Sequence, residues 1–262
     1  MHPLLVVTGG LGRVAGVLRS RLAERYELRL VDRETGRAAP GDVIVADLAV
    51  PGAAGRVLAG ADAVLHLAGD ADPRIGWDRA YRANVVPARA VLDAAARHRI
   101  PRVVLASSLH VLGEYNRPEY RPVSDELPPR PCCPYGLSKV VVEALGRLHA
   151  GTTGASVVCL RLGLTGWPLT EARYLGMWLS DDDAGRLVRA ALTTTVRYGT
   201  YIGVSANTRH HWDTAHAADD LGYHPHDDSE HLAATAGPPT ETLCRLFGES
   251  ENTPYTNPRR QA

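Results

Sequence analysis

The sequence predicts an α/β protein, a doubly wound parallel sheet with a small substrate-binding part toward its C-terminal end. Three observations carry that expectation. Short apolar runs rich in β-branched residues alternate with stretches whose apolar residues recur at helical spacing, the pattern of parallel strands joined by crossover helices. The first of these runs passes through a cluster of glycines straight into a helix. Finally, Gly9, Asp32, Asp47, Gly69 and Ser108 all fall at the carboxyl ends of expected strands, the edge where such sheets bind ligands.

Leu4-Leu5-Val6-Val7-Thr8 reads as the first strand, and Val14, Val17, Leu18 and Leu22 mark a helix ending near Tyr26. Between them, Gly9, Gly10 and Gly12 allow a tight turn and let backbone amides approach a pyrophosphate at the positive end of the helix. Gly9, Leu11, Gly12, Arg13 and Val14 are therefore the expected phosphate contacts of a Rossmann-type dinucleotide site. The second strand, residues 28–31, ends in Asp32. A carboxylate there accepts both hydroxyls of the adenosine ribose and repels a 2′-phosphate, so NAD is expected rather than NADP. Arg33 partly offsets that repulsion.

Residues 43–46 form a third strand ending in Asp47 and Leu48, with helical material over 52–58. Residues 63–67 form a fourth, ending in Ala68 and Gly69, and a long helix follows over 78–97. Residues 102–106 form a fifth, ending in Ser107 and Ser108. From 113 to 134 the chain is rich in proline and turns, and a long loop in a compact domain is usually functional. A helix then opens at Tyr135, and residues 157–162 form the sixth strand. Beyond it lie an expected helix over 181–192, with Asp182 and Asp183 suited to the first-turn dipole, a strand over 200–204 and a short helix over 215–221. These elements divide the chain into a dinucleotide-binding domain (1–162), a small substrate-binding region packed on it (163–248) and a polar, flexible tail (249–262).

A formal net charge of zero offers no field for nucleic acid or an acidic membrane surface. No apolar run approaches the roughly 20 residues needed to span a bilayer. A small-molecule substrate, and neither nucleic acid nor membrane, is thus the expected partner. The first residues lead into a strand with no basic region or cleavage signal, so a cytoplasmic location is expected. Cys132, Cys133, Cys159 and Cys244 lack metal-ligand spacing or a disulfide framework, and the adjacent pair reads as loop residues. His210, His211, His216, His224 and His226 crowd one region in no zinc-binding pattern, so no metal is expected.

Of the 29 lysines and arginines, Lys139 is the one lysine. It stands four residues after Tyr135, on the same face of the expected helix. Ammonium is a compact point charge and guanidinium a broad planar fork, so a chain that writes arginine everywhere else points to chemistry at this position.

Taken together these residues resemble the extended branch of the short-chain dehydrogenase/reductase family. The resemblance is carried by Thr8-Gly9-Gly10-Leu11-Gly12 with Ala15, Asp32, Asp47-Leu48, Leu67-Ala68-Gly69, Asn84, Ser107-Ser108, Asp125-Glu126, Tyr135 with Lys139, and Arg161. Within that branch the chain looks most like uronate dehydrogenases, through Ala106 to His110, Arg173 to Asp183, Ser205-Ala206-Asn207, Trp212-Asp213 and Leu221-Gly222-Tyr223. Those enzymes oxidise the anomeric carbon of galacturonate or glucuronate with NAD.

The resemblance implies Tyr135 as general base, Lys139 lowering its pKa together with the oxidised nicotinamide and holding the nicotinamide ribose, Ser108 on the reacting oxygen, and Asn84 orienting the helix or a water near Lys139. Asp47, Leu48, Leu67, Ala68 and Gly69 would border the cofactor, and Ser108, Leu109, His110, Leu164 and Arg173 the substrate, with Arg173 on the sugar carboxylate. Leu109, Leu164 and Ala71 stand where the family offers Asn, Ser and Ser. Each change removes a hydrogen bond worth roughly 1–3 kcal/mol to a buried hydroxyl, which predicts a less hydroxylated or larger substrate. Two rivals use the same residues: a ketoreductase running in reverse, and a nucleotide-sugar epimerase or dehydratase, whose larger C-terminal region this chain lacks. Family members associate through exposed helices, and a homo-oligomer is left open, as no apolar stripe marks such a surface.

Overall fold

A computed structural model describes residues 2–34 and 43–238. Seven parallel strands run in the order β3-β2-β1-β4-β5-β6-β7. They are β1 (Leu4–Thr8), β2 (Glu27–Asp32), β3 (Ile44–Val45), β4 (Ala63–His66), β5 (Arg102–Ser108), β6 (Ser156–Leu162) and β7 (Tyr198–Gly203). Because β1 pairs with both β2 and β4, the winding reverses there and opens a crevice beyond the carboxyl ends of those strands.

The helices are α1 (Arg13–Ala23), α2 (Ala53–Leu58), α3 (Trp77–Ala80), α4 (Val86–His98), α5 (Pro134–Thr153), α6 (Asp181–Thr193) and α7 (Ala215–Leu221). Alternate residues of a strand face opposite sides, and β1 shows it directly. Leu5 and Val7 pack with Leu18 and Leu22 of α1 and Leu187 and Val188 of α6. Val6 packs on the other face with Val57 and Leu58 of α2, Val91 of α4 and Val142 of α5. The continuous apolar runs are thus strands covered on both faces.

Residues beyond 162 contribute α6 and β7 to this same sheet and core. A separate apolar cluster lies past the carboxyl edge. It joins Leu109, Val111 and Leu112 after β5 to Met177, Ile202, Val204 and Trp212. The part above the sheet is therefore assembled from several distant stretches of chain. The tail expected over 249–262, and Cys244, lie outside the described residues.

The helix expected as one piece over 78–97 is interrupted. Between α3 and α4, Tyr81–Val85 forms a π-turn in which the Val86 amide donates to the Tyr81 carbonyl. Pro87 supplies the reason: it has no N–H, and its ring collides with the carbonyl four residues back in a regular α-helix. The wider turn moves that carbonyl aside, and it carries Asn84.

A buried polar network fixes α5 on the sheet. Glu143 receives bonds from Arg161 Nε and Nη2 of β6, both at 2.9 Å, and from Ser107 Oγ of β5 at 2.6 Å. Arg161 Nη1 also donates to the Asp125 carbonyl at 2.8 Å, and Asp125 meets His216 of α7 at 2.9 Å. Only 3% and 5% of the Arg161 and Glu143 side chains are exposed, so neither ion has water as a substitute partner. Removing one member of such a pair leaves an uncompensated charge. Glu143→Ala is expected to destabilise the fold by about 3–5 kcal/mol in chemical denaturation, while Glu143→Met combined with Arg161→Met recovers most of that loss. A single substitution milder than the double one would contradict this account.

Candidate active site

The glycine turn is built as a cradle. Gly9 has φ +68°, a left-handed conformation open to glycine, and a Cβ there would lie 2.7 Å from the Ala68 amide nitrogen. Gly12 caps α1 with no side-chain hydrogen bond, so the first-turn amides at Arg13 and Val14 are free of a capping side chain. Asp32, at the tip of β2, accepts from the Leu11 amide at 2.9 Å and the Arg33 amide at 2.7 Å. Each oxygen keeps a lone pair for a ribose hydroxyl. The Arg33 side chain is exposed. A dinucleotide fits this set: an uncapped helix start for the pyrophosphate and an oriented carboxylate for the ribose. Asp47 accepts from the Ala49 amide at 2.9 Å, and the Leu48 side chain is buried in the core.

Alongside lies a cavity of about 580 Å³. Its wall includes Val14, Leu67 and Gly69 on the cofactor side and Ser108, His110, Tyr135 and Lys139 at the centre. Leu109, Leu164 and Thr165 also line it. Trp167, also on the wall, lies with its ring 5.1 Å from the Arg13 guanidinium, a contact that joins the segment after β6 to the start of α1.

Pro134 opens α5 and Cys133 caps it, so Tyr135 falls in the first turn and Lys139 one turn later. Lys139 Nζ donates to the Ala106 carbonyl at 2.8 Å and lies 5.9 Å from the centre of the Tyr135 ring. Asn84 ties the surroundings together. Its Oδ1 accepts from the Asp70 amide at 2.7 Å, and its Nδ2 donates to Ser138 Oγ at 2.9 Å and the Asp70 carbonyl at 3.1 Å. The π-turn thus clamps the Gly69–Asp70 turn against α5.

Burial sets the electrostatics. It pushes the Tyr135 phenol up to about 12; a hydrogen bond from Ser108 offsets part of this, and Cys133 and Asp70 add to it. Without the cofactor, desolvation is the largest influence on the phenol and holds it in its neutral form. Burial likewise pulls Lys139 down to about 8 and His66 to about 3, the charge of Lys139 adding to the latter. His66 is neutral and hydrogen-bonded to Thr8 Oγ1 at 2.7 Å.

Arg173 is not brought to the cavity. Its Nε sits 2.6 Å from Glu171 Oε2, its guanidinium stacks on Tyr174, and it is absent from the cavity wall. Among the described residues, the arginine and lysine on that wall are Arg74, paired with Asp72, and Lys139. Sequence reasoning also passed over Glu143, whose signal was legible: it follows Lys139 by four residues on the same helical face. It missed as well that Cys132 and Cys133 converge on His110, which no local spacing reveals.

Comparison with known proteins shows the family. Residues 5–165 match the NAD dependent epimerase/dehydratase family, and the chain belongs to it. It is similar to a uronate dehydrogenase of Pseudomonas syringae pv. tomato, 36% identical over 231 residues, covering 86% of this chain and 82% of that one. It is also similar to an NAD-dependent glucose-6-phosphate dehydrogenase of Haloferax volcanii, 34% identical over 250 residues, covering 87% and 95%. A crystal structure of a tyrosine-to-alanine mutant of uronate dehydrogenase from Agrobacterium tumefaciens complexed with NAD superposes with a TM-score of 0.83 at 30% identity, covering 95% and 96%.

The buried ammonium gives a stability prediction. The unfolded chain keeps Lys139 protonated to its ordinary 10.5, whereas the folded chain releases the proton near 8. Between these values the unfolded state binds more protons at this site, so the contribution of Lys139 to stability rises with pH as the penalty of the buried charge is relieved. Below pH 8 the penalty is about 3 kcal/mol. Lys139→Met should raise the Tm of the cofactor-free protein at pH 7 and remove this rise between pH 8 and 10.5, read by thermal denaturation across pH.

Proposed function

We infer that the chain is an NAD-dependent dehydrogenase that oxidises a hydroxyl of a sugar-type substrate less polar than a hexuronate. The observation that carries this reading is the wall of the cavity, where Tyr135, Ser108 and Lys139 meet Leu109, Leu164 and Ala71. NAD bound along the cradle would supply the hydride acceptor. Tyr135 removes the proton of the substrate hydroxyl, and Ser108, already hydrogen-bonded to the phenol, holds the same oxygen. Lys139 contributes positive charge beside a phenol that burial keeps protonated, and the charge of the oxidised cofactor adds to it. The reverse reaction uses the same groups, the neutral phenol then donating its proton to a carbonyl oxygen. Asn84 is a positioning residue, acting through the Gly69–Asp70 turn and Ser138.

The substrate class follows from what the wall offers. Arg173 is engaged by Glu171, and Arg74 on the wall is paired with Asp72, so a sugar carboxylate has no dedicated partner there. Leu109 and Leu164 border the apolar cluster above the sheet and favour a deoxy or apolar-substituted position.

Two measurements test this reading. Reduced-cofactor absorbance should show turnover with NAD exceeding that with NADP, and kcat/KM for a deoxy or O-alkylated aldose at least about tenfold above that for galacturonate or glucuronate, the size of one lost hydrogen bond. Preference for a uronate would overturn the substrate assignment. Tyr135→Phe should lower kcat by about 10²-fold or more while NAD still binds, as measured by fluorescence titration. Retained turnover would overturn the base assignment.

A further inference from the structure

We propose that His110, Cys132 and Cys133 form a binding site for one divalent cation of the zinc class. The three side chains come from the two ends of the loop between β5 and α5, yet their donor atoms lie within 4.8 Å of one another. Cys132 Sγ and Cys133 Sγ are each 3.4 Å from His110 Nδ1 and 4.0 Å from each other. An ion with zinc–sulfur bonds of about 2.3 Å and a zinc–nitrogen bond of about 2.0 Å in tetrahedral geometry separates its sulfurs by ~3.8 Å and sulfur from nitrogen by ~3.5 Å. The triangle meets those dimensions to within a few tenths of an ångström.

Hydrogen bonding leaves the two thiols competing for Nδ1, with the His110 carbonyl 3.8 Å from Cys132 Sγ as a further acceptor. Nδ1 has a single in-plane lone pair, whereas two thiols approach it at the same distance. A cation accepts all three donors at once, and two thiolates balance its charge beside Tyr135. Two thiolates and an imidazole also form a donor set suited to a borderline-soft ion, with a fourth position for water.

The surrounding chain holds the three donors in place. The His110 amide donates to Ser108 Oγ at 3.3 Å, and Cys133 Sγ accepts from the Gly136 amide at 3.4 Å. Cys132 packs against Gly113, where an added Cβ would lie 2.7 Å from its own Cβ. His110 is buried, while the two cysteines are partly accessible, which gives an ion an entry path. The His110 ring also meets Tyr135 edge-on at 5.2 Å. A bound ion would therefore staple the loop to the start of α5 and fix the ring that flanks the phenol.

The test is titration of the untagged, fully reduced protein with Co²⁺. One equivalent should give thiolate-to-cobalt charge-transfer and tetrahedral ligand-field bands, and Zn²⁺ should displace it. Changes outside the ligand shell already cost 10–100-fold in affinity, so Cys132→Ser and Cys133→Ser should each weaken binding by at least about 100-fold. Cys159→Ser, buried in β6, should leave it unchanged. Absence of the thiolate band, or its persistence when both Cys132 and Cys133 are serine, would overturn the proposal. Should the serine variants fail to fold, the unmodified protein decides it. Excess Zn²⁺ should slow alkylation of Cys132 and Cys133 at least tenfold by peptide mass spectrometry, and equal rates with and without zinc would overturn the site.

Discussion

Everything in the site depends on how α5 is indexed against the sheet, and the Glu143–Arg161 pair sets that index. Tyr135, Lys139 and Glu143 recur every four residues, so they form one stripe along the helix. The lowest member is locked to β5 and β6 through Ser107 and Arg161, and the middle one to the Ala106 carbonyl. With two of the three anchored, the position of the phenol follows. A rotation of the helix that moved Tyr135 off the cavity would have to strand two buried charges. Arrangements of this kind contribute little net stability compared with an apolar core, but they penalise every alternative register. Specificity of placement, more than stability, is what the pair supplies.

The legibility of the sequence divides along physical lines. Strands covered on both faces leave continuous apolar runs, and crossover helices leave a helical period, so the sheet and the carboxyl-end position of Gly9, Asp32 and Ser108 could be read directly. Tyr135 and Lys139 share one turn-to-turn spacing and were equally plain. The π-turn was hidden because its cause, Pro87, perturbs hydrogen bonding without disturbing the apolar period. Arg173 shows the opposite failure. Its identity fitted a carboxylate contact, but the geometry gives that guanidinium to Glu171, two residues away. His110 with Cys132 and Cys133 lies beyond any local pattern, since the loop alone decides that its two ends meet.

The site also illustrates a conflict between folding and chemistry. Burying Tyr135, Lys139 and His66 together is unfavourable, as the direction of each shift records. The two core clusters on either side of the sheet offset that burden. In return the donors are kept oriented, and a positive charge arriving beside the buried phenol is weakly screened by the protein around it.

The solitary lysine has a consequence for covalent chemistry. Because arginine carries the remaining basic positions, the side chains of the whole chain present one primary amine, and only 6% of that residue is exposed. Reagents that acylate amines find no lysine target on the surface. Apart from the α-amino group, they can act only where the cavity admits them. The rate at which such a reagent marks Lys139 therefore reports how readily the cavity admits it, free of the background that surface lysines impose on most proteins.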